Sequence, residues 1–161
     1  MPRIATVLGA VGIVAGCQSS SSPDGTSTLI ENASVTPLVH EAYTGFGEPA
    51  RMVVRDAQRW VEVWARAFVG RSEVPERPAI DFSREIVLVA AQGAQGSGGY
   101  DISIDRVALK DGAIAVHVTT TSPDERCLTL AVVTSPVVMV HLPRSEGRVR
   151  FIEHARVARC E

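Results

Sequence analysis

The sequence predicts an α+β domain, mainly antiparallel β-sheet in a sandwich or half-barrel, with one amphipathic helix packed on it. Three observations carry this expectation. Residues 57–68 alone sustain a helical apolar period, several later segments run apolar or alternate at strand length, and Asp111-Gly112 stands between two alternating runs as a hairpin turn should.

The elements follow in order. Arg51-Met52-Val53-Val54 reads as a short strand leading to Asp56, a helix N-cap. Ala57, Trp60, Val61, Trp64, Ala67 and Phe68 then recur at three- and four-residue spacing, and Gly70 stands where a helix C-terminal glycine belongs. Aromatic residues at that spacing are expected in the core. After a loop bounded by Pro75 and Pro78, the continuous run Ile86–Ala91 has the length and composition of a central strand. A glycine-rich stretch, 93–99, leads to the alternating segment Tyr100–Asp105.

The hairpin can be registered residue by residue. A two-residue type I′ turn at Asp111-Gly112 sets Leu109 opposite Ile114 and Val107 opposite Val116. Ile104 and Ile102 then fall out of phase. One extra residue at Asp105-Arg106 opposite His117 restores Ile104 against Val118 and Ile102 against Thr120, so a bulge is expected there, with His117 facing away from the apolar side. Further strands are expected at 127–133, 137–142 and 149–154.

The chain opens with Arg3, an apolar run Ile4–Val14, and Val14-Ala15-Gly16-Cys17 followed by Gln18 and four serines. Eleven apolar or small residues are too few to cross a bilayer, which takes about 20 residues of helix. The segment resembles a bacterial lipoprotein signal peptide, which implies cleavage after residue 16 and acylation of Cys17. Two or more acyl chains would hold the protein on a bilayer, at about 0.8 kcal/mol per buried methylene. Residues 17–36, rich in Ser, Thr, Asn, Pro and Gly, read as a tether spanning roughly 25 Å as a flexible coil; residues 37–161 read as a single domain. Asn32-Ala33-Ser34 matches a glycosylation acceptor but is discounted in a bacterial lipoprotein.

Lys and Arg number 16 against 18 acidic residues, a net charge of −2 with the signs mixed along the chain. No basic stripe offers a phosphate footprint, so nucleic acid is not an expected partner. With Cys17 assigned to the anchor, Cys127 and Cys160 remain as an expected disulfide in an oxidising, extracytoplasmic compartment, neither having a metal-like neighbour in sequence.

Several motifs touch known chemistry without completing it. Gln95-Gly96-Ser97-Gly98-Gly99 approaches the nucleophile motif of trypsin-like proteases, but only His40 lies upstream, and glutamine occupies the first glycine position of a nucleophile elbow. Asp101–Asp105 alternates like a calcium loop, yet Arg106 and Gly112 occupy the required glycine and glutamate positions. His40, His117, His141 and His154 form no i, i+4 pair. No catalytic residue, cofactor or metal is expected.

Asp81-Phe82-Ser83 precedes the apolar strand, Gly98-Gly99-Tyr100-x-Ile102-x-Ile104 follows the glycine-rich loop, and Val107 leads to the Gly112 turn. Val116-x-Val118 comes next, then Thr134-Ser135-Pro136 before Val137-Val138-Met139-Val140-His141-Leu142-Pro143-Arg144. In this order and spacing, the features resemble the C-terminal domain family of the bacterial protease-complex subunit PrcB. The resemblance implies an extracytoplasmic, often lipid-anchored protein of a family whose founding member associates with and stabilises a surface protease, and it implies no catalytic residues. The chain departs from the pattern at Gln95-Gly96-Ser97, where relatives often show Pro-Thr, and at Val137, where an aromatic follows the proline.

The expectation is a non-enzymatic lipoprotein of the bacterial envelope, periplasmic or on the cell surface, that binds another envelope protein such as a protease. Gln95, Gly96, Ser97, Gly98, Gly99, Tyr100, Ser135 and Pro136 are the candidate contacts, since glycine loops and turns suit recognition. The alternative is a proteinaceous protease inhibitor using loop 93–100, whose Gly-Tyr ending resembles the wedge loop of chagasin-like inhibitors.

Overall fold

A computed structural model describes residues 30–31, 35–110 and 113–160. Its strands are β1 (Ile30–Glu31), β2 (Thr36–Glu41), β3 (Ala50–Val54), β4 (Glu85–Ala91), β5 (Asp101–Lys110), β6 (Ala113–Pro123), β7 (Val137–Pro143) and β8 (Val149–Ala158), with helix α1 (Ala57–Ala67) between β3 and β4. Among the described residues they form two four-stranded sheets, β1-β5-β6-β8 and β2-β7-β4-β3, neither of which closes into a barrel. Cys17, the Asn32-Ala33-Ser34 sequence and the Asp111-Gly112 turn lie outside the described residues. Ile30–Glu31 pairs with Leu109 and Ala108 of β5, and β2 starts at Thr36, so the expected tether already contributes to the sheets before residue 37.

β4 shows why its apolar run is continuous. It sits between β3 and β7, and its alternate residues enter two different cores. Val87, Val89 and Ala91 pack with Trp60, Trp64 and Phe68 of the helical segment and with Met139. Ile86, Leu88 and Ala90 pack with Ile102, Val107, Val116 and Val118 of the other sheet. A strand buried on both faces has no solvated side, and so no polar alternation.

The helix begins where Asp56 accepts the Arg59 N–H at 2.8 Å, and beyond its end Gly70 adopts φ +77°. Trp60, Val63, Trp64 and Ala67 are its buried residues; Val61 is 49% exposed and Ala57 is also exposed, so the buried stripe passes through Val63 rather than Val61. The two indole N–H groups donate to the carbonyls of Pro78 and Pro75, both at 3.1 Å, which satisfies their polar atoms and fixes the loop.

The β5–β6 hairpin has the expected register throughout: Leu109 opposite Ile114, Val107 opposite Val116, Arg106 opposite His117, Ile104 opposite Val118 and Ile102 opposite Thr120, with the shift between Ile104 and Arg106. One expectation fails: residues 127–133 form no strand. The strand expected at 149–154 is present as β8, which runs on to Ala158 and pairs parallel with β6 in sheets whose other pairings are antiparallel. The parallel pairing is possible because β6 and β8 are not joined by a hairpin: the chain passes through β7 of the other sheet between them.

Candidate protein-binding surface

After β6 the chain turns sharply. Asp124 accepts the Arg126 N–H at 3.1 Å and its guanidinium at 2.9 Å, and these bonds hold its carboxyl below the ordinary range. Cys127 is joined to Cys160, 33 positions away with a Cα separation of 5.4 Å, so the end of β8 is fastened to this turn. At the other end Gln95 and Thr134 exchange backbone hydrogen bonds of 2.7 and 3.0 Å, after which Thr134, Ser135 and Pro136 are buried. Between the two fastenings the side chains point outward: Leu128 is fully exposed, Leu130 is 74% and Val133 67% exposed, and Tyr43 and Val69 stand exposed nearby.

A cleft of about 430 Å³ opens beside this segment, lined by Tyr43, Gly99, Tyr100, Pro123, Leu128 and Leu130 among others, with no charged side chain among the described residues. A smaller one of about 240 Å³ shares Tyr43 and Thr134 and adds Val69 and Val133. Monomers rarely gather exposed aliphatic side chains in this way unless the surface is used.

The glycine-rich loop borders the same surface, but it is tacked down. Ala94 donates to Gly47 and Gly98 to Leu130, both at 2.9 Å, and the Ser97 carbonyl accepts from the Thr134 hydroxyl at 2.8 Å. Gly93 is buried at φ +83°, where a Cβ would meet Pro49 at 2.8 Å; Gly99 has φ +87° and would meet Pro123 and Thr129 at 3.2 Å. These two glycines answer local geometry. Of the expected contacts, Gly96 and Gly99 are exposed, and Gln95, Ser97, Gly98 and Tyr100 are half-buried. Of the two expected turn residues, Ser135 is 5% exposed, donates its hydroxyl to the Thr44 carbonyl and lines the smaller cleft, while Pro136 is buried and its carbonyl accepts from the Gln92 N–H.

Several polar groups away from this surface are engaged locally. A cavity of about 380 Å³ near Pro143 brings together Asp81, Arg84 and Glu85. There the Ser83 hydroxyl and N–H donate to Asp81, lowering its pKa, and Glu85 pairs with His141 at 2.7 Å. Asp81-Phe82-Ser83 thus closes the turn into β4, and Arg144 braces it by donating to the Phe82 carbonyl at 2.6 Å.

The fold also joins two histidines that are 37 positions apart. Arg106 lies 3.0 Å from His117 Nε2, and His117 Nδ1 lies 3.0 Å from His154 Nε2. A guanidinium can only donate, so His117 accepts at Nε2 and its Nδ1–H donates to His154. Burial, then Arg106, then His154 push the His117 pKa down. The sequence held no sign of this pair because β6 and β8 are separated by all of β7. Among the described residues, no group of three or more His, Cys, Asp or Glu side chains could hold a metal ion, and no helix is long and apolar enough to cross a membrane.

Residues 86–143 match the PrcB C-terminal family. The matched stretch runs from β4 to the end of β7 and contains both the glycine-rich loop and the exposed segment 128–133. No curated protein and no solved structure matches the chain significantly.

Proposed function

We propose that this chain is an envelope lipoprotein, anchored through acylated Cys17, which performs no chemistry of its own and serves as an accessory subunit binding another extracytoplasmic protein, such as a protease. The observation that carries the reading is the apolar segment 128–133, exposed yet fastened at both ends by the Cys127–Cys160 disulfide and the Gln95–Thr134 bridge. A surface presented in a fixed shape loses little entropy on binding. The local pairing of Asp81 with Ser83, and of Glu85 with His141, is consistent with carboxylates that stabilise turns and strand ends.

Two measurements test it. Cys17→Ser in the native host should move the protein from the membrane to the soluble fraction; retention on the membrane refutes the anchor. Affinity capture of the acylated protein followed by mass spectrometry should return one envelope protein in stoichiometric amount. Slowing of a cysteine protease by the purified domain, with no stable complex partner in the envelope, would favour the inhibitor reading built on loop 93–100.

A further inference from the structure

Among the described residues the two sheets have four edges, and three of them are blunted. β1 is two residues long, β3 is five, and β2 carries Pro37 and a register shift between Pro37 and Val39. Short strands, prolines and bulges are what keep a sheet edge from pairing further. β8 has none of these. It runs for ten residues, roughly 33 Å, in unbroken register with β6 from Val149 to Ala158, and no strand lies on its other side. Arg148 before it and Ala158 at its end offer their carbonyls to Ile114 and Asp124. In this parallel ladder the backbone groups of the even-numbered residues therefore turn toward β6, and those of Phe151, Glu153, Ala155 and Val157 turn outward, with no backbone partner among the described residues.

The side chains along this edge bear on what pairs with it. Val149 and Phe151 pack against the core between the sheets, and Glu153, on the same face, is held by a bidentate bond from Arg51 of β3, 2.8 Å on each arm. The opposite face presents Arg150, Ile152, His154 and Arg156, with both arginines exposed and neither in an ion pair among the described residues. Asp105, which lies near Arg156, is already bonded by Ser103 and Thr119. The outer margin of the edge is therefore positive. A second copy of β8 paired edge to edge would set Arg150, His154 and Arg156 beside their own like, which opposes pairing. A nucleic acid or an anionic headgroup would answer the arginines but not the row of backbone donors and acceptors. An added strand answers both when its outer face is acidic.

We propose that the free edge of β8 docks an extended acidic segment of another protein, which adds as a fifth strand of this sheet, its aliphatic side chains on the Phe151 face and its Asp or Glu side chains beside Arg150 and Arg156. The site is separate from residues 128–133 and does not rest on the accessory reading built on them.

The test places a photoreactive benzophenone side chain at Ala155 of the full chain in its native host, with a second, independent probe at Leu130. The expected result is an adduct at Ala155 with a segment of another protein in which Asp or Glu alternates with aliphatic residues. Arg150→Glu combined with Arg156→Glu should lower its yield roughly tenfold, as exchanging attractive cross-strand pairs for repulsive ones would. Arg150→Gln with Arg156→Gln, expected to lower it about threefold, serves should the charge reversal disturb folding. An adduct with lipid, nucleic acid or a second copy of this chain, a protein segment without alternating acids, or a yield that neither pair of substitutions moves would overturn the inference. Protein adducts at Leu130 with none at Ala155 overturn it while leaving the accessory role standing; the reverse supports it and counts against residues 128–133; no adduct at either position overturns both.

Discussion

Two apolar, β-prone stretches of this chain meet opposite fates. Ile86–Ala91 is a central strand with every residue fully buried, while 127–133, similar in composition, carries side chains exposed by two thirds or more at Leu128, Leu130 and Val133. Partner availability makes the difference. β4 has a strand on each side and an apolar layer on each face. Residues 127–133 follow a strand whose two edges are already taken, and the disulfide and the Gln95 bridge hold them across the end of the domain. An apolar run reports the need for cover, and the topology decides whether that cover comes from the same chain.

The largest effect should come from β4. Leu88→Ala removes a fully buried side chain between the sheets and should cost about 2–5 kcal/mol, read as a lowered midpoint in urea at unchanged slope. Reduction of Cys127–Cys160 should come next, by at most about 4 kcal/mol for a bridge of this loop length in the chain-entropy model; because only one end of the exposed segment is then freed, partner capture should weaken rather than vanish.

Gly93→Ala should cost roughly 1–3 kcal/mol, because a positive-φ position and a contact with Pro49 both oppose a Cβ. A neutral result would mean that the loop is free, as its composition alone suggests.

A smaller effect concerns pH. His117 faces Asp105 and Arg106 from β5 and His154 from β8, and Asp105 in turn is bonded by Ser103 and Thr119 and lies near Arg156. Its pKa in the fold lies below the ordinary 6.5, so the unfolded chain takes up the proton first. Its contribution to stability is therefore present above 6.5 and is lost as pH falls through the lowered value. Melting temperature should decline on acidification through that range, and His117→Gln should flatten the decline.

Much of the fold was legible because local rules agreed. The helix with its Asp56 cap and the double burial of Ile86–Ala91 follow from spacing and composition. The bulge at Asp105-Arg106 follows because only one insertion keeps Ile102, Ile104 and Val107 on a single face. The candidate surface is half legible in the sequence. The glycine-rich loop stands out by composition, whereas nothing in Ser135 and Pro136 shows that they will bond to Thr44 and Gln92. The exposed segment was missed because Leu, Val and Thr at period two are the same signal in a paired strand and in an unpaired one.

The central claim is that residues 128–133 are surface for a partner and not core. It is tested most directly by measuring the thermal stability and the partner capture of Leu130→Asp in the same acylated preparation. The account predicts a stability change within about 0.5 kcal/mol, as for exposed positions generally, together with loss of the captured protein. A variant that melts several degrees lower, or one that keeps its partner, would contradict it.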